Sequence, residues 1–177
     1  DVRFNRFLSR MPQMDLSLIQ DFFSVVKDMM VMSDDEDHLN KRRLASFGFE
    51  DQIIDRFKSK IVETVDKLIQ EVKDLKEFDF VENISRKLPA IVLADLFSIP
   101  EHDRNKFYEW SNTMTAFFGG ASAYQNEDGI LVNNAARELK KYFSNLIDQR
   151  LDSESSDYVS LVLKNHSGFE LSKDQII

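Results

Sequence analysis

The stretch from Glu50 to Leu75 reads EDQIIDRFKSKIVETVDKLIQEVKDL, and its apolar residues are spaced three or four positions apart. These residues are Ile54, Phe57, Ile61, Val65, Leu68, Val72 and Leu75. A coiled coil would require a strict seven-residue repeat, but Thr64 and Glu71 fall where that repeat needs core residues. The pattern therefore predicts one long amphipathic helix that belongs to a helical bundle.

The composition extends this prediction to the rest of the chain. The 177 residues include only 5 glycines and 3 prolines, fewer than sheets and tight turns need, and 42% are hydrophobic. No apolar run reaches the roughly 18 residues of a membrane span. The 23 basic residues against 31 acidic ones give a net charge of −8, which argues against the basic surface of a nucleic-acid binder. We expect one all-α domain with no nucleic-acid partner and no membrane anchor.

Capping signals and apolar patterns predict further helices around this central one. After an irregular apolar segment, 1–32, with one or two short helices, we expect helices over about 35–47, 81–97, 100–118, 129–151 and 157–165. Gly48 and the pair Gly119-Gly120 are expected stops. The helix that Gly129 opens should bury Leu131, Ala135, Leu139, Tyr142, Leu146 and Ile147.

The two ends of the sequence are abrupt. The first residue is Asp1 rather than Met, and Ser172 and Gln175 form a capping box near the other end, with Leu171 and Ile176 as a hydrophobic staple. A single helical turn does not repay the cost of nucleation, so this helix is expected to continue. The sequence is therefore interpreted as an internal piece of a longer protein.

Most familiar catalytic patterns are missing from the sequence. It has no glycine-rich phosphate loop, no HExxH, no G-x-S-x-G and no cysteine. A more specific arrangement is His38 and Arg42, four residues apart on a predicted helix, so that both side chains leave one face. An imidazole and a planar guanidinium together suit a carboxylate ligand. The simpler alternative is that His38 pairs with Asp34, and Arg42 with Asp35 or solvent.

Collinear segments of the chain resemble the bacterial cytochromes P450. Asp34–Leu44, DDEDHLNKRRL, resembles the stretch D-P-P-E-H-x-x-x-R-R-L, and 78–81 resembles an F-D-hydrophobic stretch. Leu88–Pro100, LPAIVLADLFSIP, is similar to a P-hydrophobic-helix-G-V-P segment. Pro100–Ser111, PEHDRNKFYEWS, resembles P-E-E-D-R-x-x-F-x-x-W-S, and Asp1–Phe4 resembles D-P-R-F. The shared order and spacing are more specific than any one segment.

The departures from these segments remove no proposed ligand. Asp35 and Glu36 replace two prolines, Phe47–Phe49 stands in place of Phe-Thr-Pro, and Ser98 replaces a glycine. The resemblance implies a multi-helix piece of the cytochrome P450 fold, comprising family helices C to H and the start of helix I. As one partial domain, 1–177 would then divide into a substrate-loop region (1–32), a helical core (33–165) and the truncated start of the next long helix (166–177).

The resemblance also implies a function. The full protein would be a cytoplasmic haem-thiolate monooxygenase that inserts one atom of O2 into a small apolar or lipid-like substrate. In the family the H-x-x-x-R pair binds the propionates of haem b, and this role carries over to His38 and Arg42. Lys41 and Arg43 would face an electron donor of the ferredoxin or flavodoxin type.

The resemblance further implies which side chains line the substrate pocket. They are Leu16, Ile19, Phe22, Phe23, Met114, Phe117 and Phe118. For the last three, core packing is the default interpretation. The family's oxygen-activating A-G-x-[DE]-T helix would begin where this chain ends, and the cysteine that ligates iron would follow later.

With no thiolate of its own, the piece is expected to be inactive alone. A different class of function stays open at this point. The chain would then be a non-enzymatic all-α module that binds a partner helix or an apolar ligand through its Met- and Phe-rich start.

Overall fold

The computed structural model describes residues 2–49, 51–120, 124–151, 153, 155, 157–169 and 172–176. Within these ranges the chain is helical, with no β-strand, which confirms the predicted all-α class. The α-helices are α1 (Val2–Leu8), α2 (Gln20–Val26), α3 (Asp35–Ser46), α4 (Asp51–Val72), α5 (Lys87–Leu96), α6 (Arg104–Phe118), α7 (Asn126–Leu151), α8 (Tyr158–Asn165) and α9 (Lys173–Ile176). None of them is long and apolar enough to cross a membrane.

Two predicted boundaries differ from the structure. The helix expected over 81–97 is a π-helical turn, Val81–Ser85, followed by α5. α7 begins at Asn126 rather than at Gly129, which lies inside its first turns and is buried. A β-carbon on Gly129 would come within 3.1 Å of the Ile19 side chain. The glycine therefore serves close packing against the segment before α2 and does not open the helix.

α7 is the central helix of the packing. α2 and α6 pack on its N-terminal half, where Val132, Ala135 and Ala136 are buried, and α8 packs on its C-terminal half. The prediction that Leu131 is buried was wrong, because its side chain is 61% exposed. α2 and α6 both pack against the face of α7 that runs through residues 132–136. The small alanines there let both helices approach α7 closely.

α4 and α5 form a second packed pair. Leu68 and Val72 of α4 pack against Ile84 and the partly buried Leu88 and Ile91. Of the amphipathic face predicted for this helix, Leu68 and Val72 are buried, whereas Leu75 lies after the end of α4 and is 52% exposed. Its N-terminal residues stay exposed, at 41% for Ile54 and 36% for Ile61.

A buried carboxylate joins three helices. The Asp95 side chain of α5 is only 4% exposed, and it binds Nη2 of Arg104 in α6 at 2.5 Å and Nζ of Lys60 in α4 at 3.2 Å. Two cations compensate the desolvation of one carboxylate, which makes the cluster a structural tie. The sequence gives no sign of it, because the partners lie 35 residues before Asp95 and 9 residues after it.

Half of the capping box predicted near the C-terminal end is present. The Ser172 backbone N–H donates to Oε1 of Gln175 at 3.0 Å, and α9 follows. The Ser172 hydroxyl also donates to Oε1 of Gln175 at 3.0 Å. Ile176 packs against the cluster of Leu146, Ile147, Val159 and Leu163. Leu171, the other half of the predicted staple, lies outside the described residues.

Candidate functional site

α3 carries His38 and Arg42 one turn apart, so both side chains leave the same face of the helix. Arg42 is exposed, and its guanidinium has no hydrogen-bond or ion-pair partner within the described part of the chain. His38 is half-buried. It does not pair with Asp34, whose carboxylate binds Nε of Arg3 at 3.1 Å.

The His38 ring is oriented by a backbone carbonyl. Its Nδ1 lies 2.9 Å from the Met30 carbonyl oxygen. A carbonyl oxygen can only accept, so Nδ1 carries the hydrogen and Nε2 is the ring nitrogen left for a ligand. When the ring is protonated, Nε2 becomes a charged donor, which is the form that a carboxylate favours.

The sequence analysis treats Lys41 as an exposed cation, and this is wrong. Lys41 is 7% exposed, and its Nζ lies 2.7 Å from Oγ of Ser33 and 2.7 Å from Oδ2 of Asp37. Burial opposes the charged form of Asp37, but the hydrogen bonds from Lys41 and Ser33 and the charge of Lys41 outweigh it and hold the pKa of this carboxyl below its ordinary value. Lys41 therefore faces inward and cannot contact a partner protein.

Arg43 differs from Lys41 in this respect. It is exposed, and its guanidinium has no hydrogen-bond or ion-pair partner among the residues that the structure describes. Of the two cations expected to face an electron donor, it alone has the accessibility that such a contact needs.

Most of the expected pocket residues meet in one packed cluster. Phe22 lies at its centre, with ring centroids 5.1 Å from Phe117 and 5.4 Å from Phe118. Ile19 and Met114 are buried in the same cluster, and Phe23 packs against it. Leu16 is outside the cluster and 39% exposed. Among the described residues this is the packing of a hydrophobic core, as the default interpretation of the α6 end expects.

Two cavities lie beside this cluster. A cavity of about 190 Å³ lies below α3 and is lined in part by Lys41, Leu44 and Met30. A second cavity of about 410 Å³ lies between α6, α7 and α8, and Met114 is among its lining residues. The side chains common to both cavities are those of Met29, Tyr158, Val162 and Ile176. The smaller cavity therefore borders α3 on the side of Lys41, Leu44 and Ala45, and His38 and Arg42 line neither cavity.

Sequence reasoning missed the residues that support this site. Ser33 and the Met30 carbonyl oxygen lie before α3, outside the helical spacing that identified His38 and Arg42. A backbone carbonyl carries no sequence signal. The hydroxyl of Ser33 binds Lys41, which lies eight residues later in the chain.

Similar proteins are bacterial cytochromes P450. No protein-family model matches the chain. The polyketide biosynthesis cytochrome P450 PksS of Bacillus subtilis is 28% identical over 165 residues, which cover 93% of this chain and 39% of PksS. The biotin biosynthesis cytochrome P450 of the same organism is 28% identical over 173 residues, 96% of this chain and 43% of that protein. The chain thus spans about two fifths of the length of these curated relatives.

The fold agrees with the sequence comparison. The crystal structure of P450BioI in complex with an acyl carrier protein ligated to hexadec-9Z-enoic acid has a TM-score of 0.80 to this chain. The match covers 94% of this chain and 42% of that one, at 24% identity, and so concerns the fold alone. The described helices form an all-α part of the P450 fold. In sequence and in fold, this chain is similar to the bacterial cytochromes P450.

Proposed function

We propose that these residues are part of a haem-thiolate monooxygenase, in which they bind the haem propionates and form walls of the substrate pocket. The observation that carries the proposal is the face of α3 where an unpartnered Arg42 lies one turn from a His38 ring whose Nε2 is available. The names of the relatives support the same activity.

The residues present fit a group with two carboxylates. The Arg42 guanidinium offers a planar fork of donors that matches one carboxylate in bidentate geometry. His38 offers a single directed nitrogen, with its ring orientation already set by Met30. Burial around the site is uneven, because Arg42 is exposed while His38 is half-buried. A site between solvent and protein interior suits propionates, whose charge stays partly hydrated while the rest of the ligand is apolar.

Haem bound with a thiolate ligand would supply the activation of O2. This chain has no cysteine, and we propose that its residues are inactive without a thiolate from elsewhere in the protein. The residues of this chain would anchor and orient the cofactor. His38 would hold one proton at Nδ1 against the Met30 carbonyl and, in its protonated form, donate a second from Nε2 to a propionate. The apolar side chains around the cavity between α6, α7 and α8 would exclude water from the substrate.

The proposed substrate is small and apolar or lipid-like. The larger cavity is lined mainly by aromatic and aliphatic side chains, among them Phe107, Leu139 and Val159. An acyl chain presented by a carrier protein, as in the P450BioI complex, belongs to this class of substrate. For electron transfer we propose a cytoplasmic ferredoxin or flavodoxin type donor, with Arg43 as the exposed cation of the contact.

The alternative function, a binding module that uses the Met- and Phe-rich start, receives less support. Met11, Met14 and Met32 are 3%, 7% and 8% exposed, so they are committed to the core. A plain binding module also gives no reason for haem binding to depend on His38. A haem titration of the His38→Ala variant therefore separates the two functions.

Haem occupancy of two arginine variants tests the proposal. We expect Arg42→Ala, made in the full-length protein, to lower the haem bound per protein, since one propionate loses its bidentate partner. Arg43→Ala is the matched control, because Arg43 is also exposed and unpartnered among the described residues, but adjacent on the helix and thus on another face. Equal haem content in wild type and Arg42→Ala would overturn the assignment.

A further inference from the structure

We infer that Lys41 is a positioning residue for His38. Its buried ammonium fixes Ser33, and Ser33 fixes the Met30 carbonyl that orients the His38 ring. The inference rests on the proposed function in one respect, since an oriented His38 matters for the binding of a carboxylate. The geometry itself requires no ligand.

The burial of Lys41 needs an explanation that its ion pair does not give. Lys67 and Glu63 form the same type of pair, four residues apart at 2.7 Å, while both side chains stay more than 60% exposed. The Lys41 side chain is 6% exposed at the same 2.7 Å distance to Asp37. A lysine is seldom buried, because its ammonium loses hydration. What burial adds at this position is the second contact, to Ser33.

Ser33 connects that contact to the site. Lys41 Nζ donates to Oγ of Ser33 at 2.7 Å, and this hydroxyl donates in turn to the Met29 carbonyl oxygen at 3.2 Å. The Ser33 backbone N–H lies 3.2 Å from the Met30 carbonyl oxygen. That oxygen is the one that accepts the hydrogen of His38 Nδ1 at 2.9 Å. The buried ammonium is therefore connected to the imidazole through Ser33, whose hydroxyl binds Lys41 and whose backbone N–H shares the Met30 carbonyl oxygen with His38.

This connection selects one state of the ring. With Met30 held in place, the neutral imidazole keeps its hydrogen on Nδ1 and leaves Nε2 directed away from the segment before α3. Without Lys41, Ser33 would keep its contact with the Asp37 carboxylate but lose the ammonium that holds its hydroxyl, and the ring could turn or exchange tautomers. Preorganisation of this kind lowers the entropy that a ligand must remove when it binds.

The tautomer of His38 tests the inference without any cofactor. The chain has three histidines, and long-range ¹H–¹⁵N correlation spectra at about pH 8, above the ordinary histidine pKa of about 6.5, distinguish a hydrogen on Nδ1 from one on Nε2. In the wild-type chain we expect His38 to hold its hydrogen on Nδ1. In Lys41→Met we expect His38 no longer to be held in this one tautomer.

Two references make the measurement specific. His166 also has its Nδ1 beside a carbonyl oxygen, that of Leu163 at 2.5 Å, and its tautomer should not change in any variant. Lys67→Met is the matched control, because it removes the equivalent exposed ion pair far from Ser33 in sequence. Its spectrum at His38 should equal that of the wild type.

A second variant covers a failure of Lys41→Met to fold. Ser33→Ala removes the hydroxyl that links Lys41 to the segment, leaves the pair between Lys41 and Asp37, and should shift the His38 tautomer in the same direction. An unchanged tautomer in the folded variant would overturn the inference. The proposed function fails by a different result, namely unaltered haem content in Arg42→Ala, so the two failures are distinguishable.

Discussion

The ring of Tyr158 lies directly against the backbone of Gly48, where an added β-carbon would come within 1.9 Å of the ring. Gly48 ends the turn after α3, and the Tyr158 hydroxyl donates to the Ala45 carbonyl oxygen at 3.3 Å. This contact fixes the end of the helix that carries His38 and Arg42 onto α8. A glycine that the sequence marks only as a helix stop is thus required by the packing of a ring.

Gly48→Ala should therefore destabilise the fold. The methyl group cannot fit unless Tyr158 moves, and overpacking of this kind reduces the free energy of unfolding by about 1–3 kcal/mol. Urea denaturation of the wild type and the variant measures the loss. In a Tyr158→Ala background, which lacks the ring, the same glycine substitution should have little further effect. A loss of equal size in both backgrounds would show that the ring contact is not the cause.

A buried ion pair predicts acid sensitivity. The Asp157 side chain is 5% exposed, and it accepts from the Ser160 backbone N–H at 2.8 Å and from Nε of Arg150 at 2.6 Å. Burial opposes its charged form, but these partners outweigh it, so the pKa of Asp157 lies below its ordinary value. As the pH falls, the Asp157 carboxylate is therefore protonated at a higher pH in the unfolded chain than in the folded chain.

The stabilisation by Asp157 is complete above the unfolded pKa of about 3.9 and is lost as the pH falls below it, towards the lower folded pKa. Asp157→Asn should reduce the free energy of unfolding at pH 7 by about 3 kcal/mol, since Arg150 would keep its charge without a partner. It should also flatten the dependence of stability on pH below about 4. Asp55→Asn, which breaks an exposed pair with Lys58, is the control and should change stability little.

Periodicity and capping predict helices well because they depend on neighbours within about four residues. The long helix over 51–72 and the contact between Ser172 and Gln175 were found in this way. The burial of Lys41 and the exposure of Leu131 were not, since each depends on a segment from another part of the fold. His38 and Arg42 could be identified because both lie on one helix, whereas the Met30 carbonyl that orients His38 could not.

An unusual backbone angle at Asp35 gives a further prediction. Its φ is +49°, in the left-handed region, at the start of α3, where the family segment has proline. Proline cannot adopt a positive φ, and alanine adopts it at a cost of about 1–2 kcal/mol that glycine avoids. Asp35→Gly should therefore be more stable than Asp35→Ala, the reverse of the usual order inside a helix. Thermal unfolding of this pair decides the point, and a more stable alanine variant would contradict the left-handed conformation.

The last prediction concerns alkaline titration. Burial, followed by the nearby Asp103 carboxylate, raises the pKa of Tyr142 to about 12, and its hydroxyl donates to Oδ2 of Asp103 at 3.2 Å. A folded pKa above the unfolded value of about 10 means that this stabilisation is complete below pH 10 and is lost as the pH rises towards 12.

Tyr142→Phe makes this titration visible. The chain has four tyrosines, so the phenolate absorbance of the wild type minus that of the variant isolates a single ring. We expect the difference curve to have its midpoint near pH 12 while the chain is folded, and near pH 10 in denaturant. The variant should also lose less stability between pH 10 and 12 than the wild type does. A midpoint near 10 in the folded protein would mean that the phenolate is hydrated and that Asp103 exerts no field on it.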